Sequence, residues 1–487
     1  MSSVENALAA IRQRVAMDRS EAAIAARIVY AAVAAYAVLF ALAATFHYLV
    51  FQEPRFDLGN MEQAIWNTLH GHVLQLSGPN GQPGSRLGTH VDPFLLLLAP
   101  LYWVWSSPIL LLVVQALAVA SGALPVFWLA RKHLGSSKNA AFFAFAYLLY
   151  PATQFNAFTP AAGFHSVSLA IPLVLFALWF LDEDRLVAFS VVALLAFTTK
   201  EEIPLAVGCL GIWYAVRRGH RLFGFSVFAA GLAVTLFNFL WVIPHFAPRG
   251  VDPFVHRYTA VGGTPGGMAH KLFTDPAAFV HAIASGHKAG YLALLLLPFL
   301  GLWILEPLIF LGAIPDLAIN LLSSNSNQTT LQFQYTAGIV PFVVAASIFG
   351  AARLKGRNLE FPLWVLAATA AVALYSPIYL GASDVRALGS PLVAAKEHAV
   401  SLVPKGGPVA ASNELAGHLS ARRFIYTFPG LGRARWIVVD VNDGTYGDVR
   451  GYKRVIREYE RSKAWRTVFS SHGVLVLHKP GSSEAGG

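Results

Sequence analysis

The sequence predicts a mainly α, polytopic transmembrane helical bundle carrying a small α/β domain at its C-terminal end. Three observations carry that expectation. Of 487 residues, 56% are hydrophobic and 13% charged, about half the roughly 25% charge of soluble domains. The apolar residues come in blocks near the ~20-residue length a helix needs to cross the hydrocarbon core. After Leu380 the composition returns to ordinary polarity, with short strand-like runs around a helical pattern.

Residues 1–27 form a polar, amphipathic lead-in holding Arg12, Arg14, Arg19 and Arg27, without the short apolar core of a cleaved signal. Apolar runs then lie near 28–50, 108–130, 139–157, 167–181, 186–199, 203–216, 222–245, 290–304, 306–322, 335–352 and 361–380. They predict about eleven spans within residues 28–380. Runs 186–199 and 203–216 fall short of a full crossing. The segment "PFLLLLAPLYWVW" (93–105), broken by Pro100, reads as interfacial or re-entrant. Cys209 is the single cysteine and sits in an apolar run, which excludes a disulfide framework or a thiolate metal site.

The net charge of +10 and pI of about 9.6 would suggest nucleic acid for a soluble chain. Here the cations gather in short loops instead, so no nucleic-acid partner is expected. The basic lead-in and the loops "RKHLGSSK" (131–138), "RRGHR" (217–221) and "RLKGR" (353–357) are separated by two, four and four spans. All even, these gaps allow every basic segment to face the cytoplasm. The prediction is N-terminus inside and C-terminus outside, in the cytoplasmic membrane. Residues 52–92, 158–166, 200–202, 246–289, 323–334 and everything after 381 then lie on the extracytoplasmic face.

That outer face concentrates the polar chemistry. Strand-like runs 408–412, 423–428, 435–441 and 473–478, with a helical pattern over 449–465, predict an α/β domain over 384–478. The tail 479–487 has a disordered composition. Behind the first span, Met61, Ile65 and Leu69 recur at a spacing of four, with Asn60, Gln63, Asn67 and His70 opposite. This reads as an amphipathic helix over 58–70 lying at the membrane surface. Asp57 stands where it would accept the Asn60 N–H as a helix cap, or serve as the centre of a site, with Arg55 two residues before it.

His90 and Asp92 in "GTHVDPF" suit a metal, a phosphate or a solvated loop end. His165 lies at the outer start of a span, where histidines often cap. Lys200, Glu201 and Glu202 interrupt two apolar runs, and ionisable groups at such depth pair or face a water-filled cavity. Arg249, His256 and Arg257 lie on the outer side against the positive-inside bias, which suggests an anionic ligand. The stretch "NQTTLQFQY" (327–335) adds an uncharged polar lip. Walker, dinucleotide, zinc-protease and nucleophile-elbow motifs are absent.

Taken in order, "FDLGNMEQAIWNTLHG", "HVDPFLLLLAPLY", "GFHSVSLAIPL", "KEEIPL", "QYTAGIVPF" and "ASNELAGHLSARRFIYTFP" resemble a bacterial and archaeal family of predicted membrane proteins of unknown function. That family is related to the GT-C glycosyltransferases, which use polyprenyl-phosphate sugars. The likeness runs from about residue 50 to 480. It implies a GT-C-like bundle in which Asp57, just after span one, is the general base or orients the acceptor. Many GT-C enzymes place two adjacent acidic residues here, often linked to a metal. In this chain Arg55 precedes Asp57 instead, so a divalent ion (Mg or Mn) stays open, with Asp57, His90 and Asp92 as its ligands if there is one.

The implied partners are a polyprenyl-phosphate-linked sugar donor, an extracytoplasmic glycan, lipid or protein acceptor, and membrane lipids. Lys200 and Arg257, with His165 nearby, are expected to take the phosphate, while Glu201 and Glu202 hold Lys200 or bind sugar hydroxyls. The C-terminal domain is expected to recognise the acceptor. Two other classes compete. A transporter or flippase would place charges near mid-membrane and show repeat symmetry. A non-catalytic envelope assembly protein would tolerate the loss of Asp57. Convergence of Asp57, His90, His165 and Lys200 on one cavity separates the enzyme from the others.

Overall fold

Apolar runs with proline at their starts make several of the helices. Pro108, Pro204, Pro307, Pro341 and Pro362 each sit in the first turn of a helix, where the missing N–H costs nothing. The computed structural model describes residues 2–78, 81–248, 250, 252–284, 286–354, 360–444 and 447–480, with residues 2–19 as backbone only. The predicted disordered tail lies almost entirely outside the described residues. Among those described, four segments are long and apolar enough to cross a membrane: Ser20–Leu49, Pro108–Leu134, Arg221–Phe246 and Gln334–Arg353. A fifth arises if Ala277–Ile283 and Gly286–Phe299, bent by 66°, form one span. The other apolar runs make shorter helices, among them Phe94–Trp103, Ser166–Asp182, Leu186–Phe197 and Ile203–Arg217.

The helices pack closely. A Cβ on Gly211 would stand 2.3 Å from the Gly224 carbonyl oxygen of the neighbouring helix. Only a bare Cα permits that approach, as small-residue packing between membrane helices requires. One large apolar core runs through the first helix, Pro108–Leu134, Ala170–Asp182 and Val340–Arg353.

The segment after the first helix departs from its expected form. The helix Asn60–Leu69 does not lie on a surface with one face in lipid. Met61 and Ile65 are buried in the protein core. Gln63 and Asn67, on the expected water side, are buried too. Gln63 Nε2 donates to Ser77 Oγ at 2.8 Å and to the carbonyls of Arg422 and Arg423. Asn67 Nδ2 donates to the Gln75 carbonyl at 2.9 Å. The amphipathic pattern is that of a helix between an apolar bundle and a polar domain.

A hairpin, β1 (Gln75–Ser77) and β2 (Pro83–Ser85), follows. The C-terminal sheet contains β3 (Val409–Ala411), β4 (Ile425–Thr427), β5 (Trp436–Asp440), β6 (Arg466–Ser471) and β7 (Val474–His478), in the order β4-β3-β5-β7-β6. β3 runs parallel to β4 and β5, whereas β7 is antiparallel to β5 and β6. β6 was not expected. It is a largely exposed edge strand without apolar alternation, joined to β7 through His472 and Gly473, both at positive φ (49° and 82°), the hairpin turn geometry. The helix expected over 449–465 spans Val449–Arg461. Val50 and Phe51, in the turn just after the first helix, are buried among Val393, Leu415, Ile425 and Val438 of this domain. The segment carrying Asp57 is therefore gripped from both sides.

Candidate active site

Asp57 stands in a single π-helical turn, Arg55–Gly59, that leads into the helix Asn60–Leu69. Such turns recur at functional sites. The expected cap is not made: the Asn60 N–H reaches the main-chain oxygens of Arg55 and Asp57. The carboxylate turns instead toward His165, whose Nε2 lies 3.1 Å from Asp57 Oδ1. Its side chain keeps 36% of its surface exposed, while that of His165 keeps 7%.

His165 is held from the bundle. Its N–H donates to Gln115 Oε1 at 2.7 Å, and Gln115 Nε2 donates to the Gly163 carbonyl at 3.3 Å. Gly163 has φ +69°, and a Cβ there would meet Glu53 Oε2 at 2.4 Å. Glycine thus serves both the left-handed turn and the close approach. Glu53 is fully buried, and neither of its carboxyl oxygens has a hydrogen-bond partner among the described residues. Burial first, then Asp57 and Asp384, push its carboxyl well above the usual range.

Around this pair lie two further ion pairs and one histidine–carboxylate contact. Arg86 grips Asp92 through Nε at 3.1 Å and Nη2 at 2.8 Å, and Ser166 Oγ donates to Asp92 Oδ2 at 3.0 Å. His90 Nδ1 lies 2.9 Å from Glu201 Oε1, and the Val91 N–H donates to Glu201 Oε2 at 2.9 Å. Lys200 Nζ lies 2.6 Å from Glu202 Oε1 and 6.0 Å from the centre of the Tyr335 ring. Arg257 stacks on Phe254 at 4.2 Å and donates to Gln328 Oε1 at 3.4 Å.

Two adjoining cavities meet here. One, of about 690 Å³, is lined by Asp57, Asn60, Arg86, His90, Arg257 and Tyr335, with Ile425, Tyr426, Thr427 and Gly430 from the C-terminal domain. The other, of about 290 Å³, joins Lys200, Glu201 and Glu202 to the apolar Phe239, Val255, Met268, Ile319 and Leu322. His90, Phe254, Arg257 and Tyr335 border both. His165, Lys200, Arg86 and Asp92 line a narrow crevice that also touches His90 and Tyr335.

Electrostatics set the protonation. Burial pulls the Asp57 carboxyl upward, but His165, then Arg86, outweigh it and hold it below the ordinary carboxylate value. Burial, with Arg86 and Lys200, holds His90 well below the usual imidazole value. At neutral pH the site presents an ionised Asp57 and a neutral His90.

Asp57, His90, Asp92, His165, Lys200, Glu201, Glu202 and Arg257 are thus brought together. Arg55 lines the same cavity, but its guanidinium points into the C-terminal domain: Nη1 donates to Thr427 Oγ1 and Nη2 to the Ile425 carbonyl, each at 3.0 Å. His256 does not join. It is exposed, with Nδ1 on the Pro253 carbonyl. Arg249 lies outside the described residues.

The metal set does not assemble either. Asp92 is taken by Arg86 and Ser166 and His90 by Glu201, and among the described residues no three His, Cys, Asp or Glu stand close enough to share an ion. The residues present do not fit a Mg or Mn site built on Asp57, His90 and Asp92. Arg86, Ser166, Gln115 and Glu53 were missed. Gln115 inside "ILLLVVQALAVA" carried a readable signal, since a polar residue within an apolar run needs a partner.

A family model described as "Predicted membrane protein (DUF2079)" matches residues 47–476. No curated protein matches the chain. Among solved structures, ArnT from Cupriavidus metallidurans bound to undecaprenyl phosphate aligns with a TM-score of 0.50 at 13% identity, over 91% of this chain and 98% of that one. The apo state of the same protein aligns with a TM-score of 0.50 at 16% identity, over 94% and 100%. The Archaeoglobus fulgidus oligosaccharyltransferase, a complex with Zn and sulfate, aligns at 0.44 and 13% identity, over 91% and 73%. The chain therefore has an ArnT-like fold. The resemblance read from its motifs agrees with the matched family.

Proposed function

The chain belongs to the DUF2079 family of predicted membrane proteins, and from that premise we propose that it is an integral-membrane glycosyltransferase. In this reading it moves a sugar from a polyprenyl-phosphate donor to an extracytoplasmic glycan, lipid or protein. The chain crosses the cytoplasmic membrane about eleven times, N-terminus inside, so that Asp57 and the C-terminal domain face outward.

One observation carries the reading. An ionised, histidine-held carboxylate opens into a polar cavity that adjoins an amphipathic one edged by Lys200 and Arg257. The acceptor lies in the larger cavity, against Asp57 and the Ile425–Thr427 strand. The donor phosphate sits by Lys200 and Arg257, its chain along Phe239, Ile319 and Leu322. Asp57 takes the proton of the acceptor hydroxyl as that oxygen bonds to the anomeric carbon. The bond from that carbon to the phosphate oxygen breaks, and its electron pair leaves with the phosphate, where the cations stabilise the developing charge. Glu202 and Glu201 position Lys200 and His90. Fold likeness to a protein solved with undecaprenyl phosphate supports the choice of donor class.

The test is transfer from radiolabelled polyprenyl-phosphate sugars to membrane or envelope extracts. Asp57→Asn keeps the shape but cannot take a proton, and the expected loss is about 10²–10⁴-fold. Equal transfer by a folded Asp57→Asn protein would remove Asp57 as the base. No transfer by the wild type across the known lipid donors would overturn the enzyme reading.

A further inference from the structure

A separate cavity lies at the other end of the bundle. The segment Ser166–Asp182 starts beside His165 and runs away from the site. At ~1.5 Å per residue its ends are about 25 Å apart, most of the ~30 Å hydrocarbon thickness. At the far end a groove of about 640 Å³ is lined by residues of Ala123–Leu134, Ala170–Asp182 and the loop before Leu186. Its wall is aromatic, with the Trp128 ring 5.9 Å from Phe176 and 5.7 Å from Trp179, and Phe180 alongside. Its rim is cationic: Arg131, Lys132 and Arg185.

These cations differ. Lys132 Nζ is committed to Asp182 at 2.7 Å and Glu183 at 2.6 Å. Arg131 and Arg185 are exposed, and no described carboxylate lies within ion-pair distance of either. Two guanidiniums with open donor forks therefore stand at the polar end of an aromatic groove, at the depth where hydrocarbon gives way to headgroups. The volume falls within the ~300–1,000 Å³ of small-molecule sites. Guanidinium suits phosphate bidentately, and basic pockets between membrane helices favour anionic headgroups. A zwitterionic lipid would bring its own cation toward the two arginines, whereas a net-anionic one would not.

We infer that this groove binds a phosphate-headed, net-anionic lipid of the leaflet opposite the Asp57 cavity. The phosphate sits between Arg131 and Arg185, and an acyl chain lies on Trp128, Phe176, Trp179 and Phe180. The site stands whether or not the protein transfers sugars.

The experiment is native mass spectrometry of the full-length protein in detergent, titrated with phosphatidylglycerol and with phosphatidylcholine of matched chains. The wild type is expected to hold phosphatidylglycerol about tenfold more tightly or better, from two basic residues beside an anionic headgroup. Arg131→Gln/Arg185→Gln removes the preference. Both positions are exposed, so the fold is retained. Trp179→Ala, which strips the wall and leaves the cations, weakens both lipids. Arg450→Gln/Arg454→Gln removes the same charge from the exposed C-terminal helix and leaves the preference intact. Equal binding of the two lipids by the wild type would mean ordinary surrounding lipid and overturn the inference. So would an unchanged preference in the Arg131/Arg185 variant.

Discussion

At the Asp57 carboxylate, burial and charge pull in opposite directions, and the His165 contact decides between them. His165→Gln keeps a side-chain donor but removes the ring. The Asp57 value should then rise, and with it the acid limb of the pH–rate profile, since activity needs the ionised base. An unmoved limb would mean that His165 does not tune Asp57. Glu62 shows the converse. Desolvation between the helix and the C-terminal domain pushes its carboxyl up to about 8, against Ser420 and Arg422. Because the folded value lies above the unfolded one, its contribution is fully present below about pH 4.5 and is lost as pH rises through about 8. Wild-type Tm should fall between pH 5 and pH 8.5 by an amount worth a few kcal/mol, and Glu62→Gln should flatten that fall in a thermal-shift series.

The Arg55–Gly59 turn depends on close packing against the short helix Asn413–Gly417 and the residues after it. A Cβ at Gly59 would stand 2.7 Å from Ser420 Oγ and 3.2 Å from Arg55 Cγ. Gly59→Ala should cost about 1–3 kcal/mol by overpacking, and Ser420→Ala in the same chain should recover part of it. Denaturant midpoints of the two single variants and the double variant would measure that coupling; strict additivity would mean that the two side chains do not collide. The helix after this turn could be read from its spacing of apolar residues. Its burial could not, because the same pattern serves a helix on lipid and a helix between two protein layers. β6 escaped for a related reason: an exposed edge strand needs no apolar alternation.

Across the whole molecule, the C-terminal domain is completed by the chain that leaves the first span. Val50 and Phe51 fill its core, the Arg55 and Phe56 N–H groups meet Asn413 Oδ1, and the Arg55 guanidinium ties β4. A fragment covering 388–480 alone should therefore unfold without a sharp transition and bind a hydrophobic dye. Adding a peptide covering 48–58 should sharpen the transition, as followed by circular dichroism. A cooperative fragment without the peptide would show the clamp to be dispensable.

Membrane class, the apolar runs, the polar C-terminal unit and the list of polar residues between the runs were all legible in composition and period. Each is a sum over many residues, and the solvent they must satisfy is the same wherever they fold. The choice among those polar residues was made by tertiary structure. Asp57 meets His165 across 108 positions, His90 meets Glu201 across 111, and Arg55 meets Thr427 across 372. No local pattern encodes such pairs, because a buried ionisable group takes its role from the partner the fold places beside it. For that reason Asp92 became the mate of Arg86, His256 stayed outside, and Asp57 was left facing an open cavity.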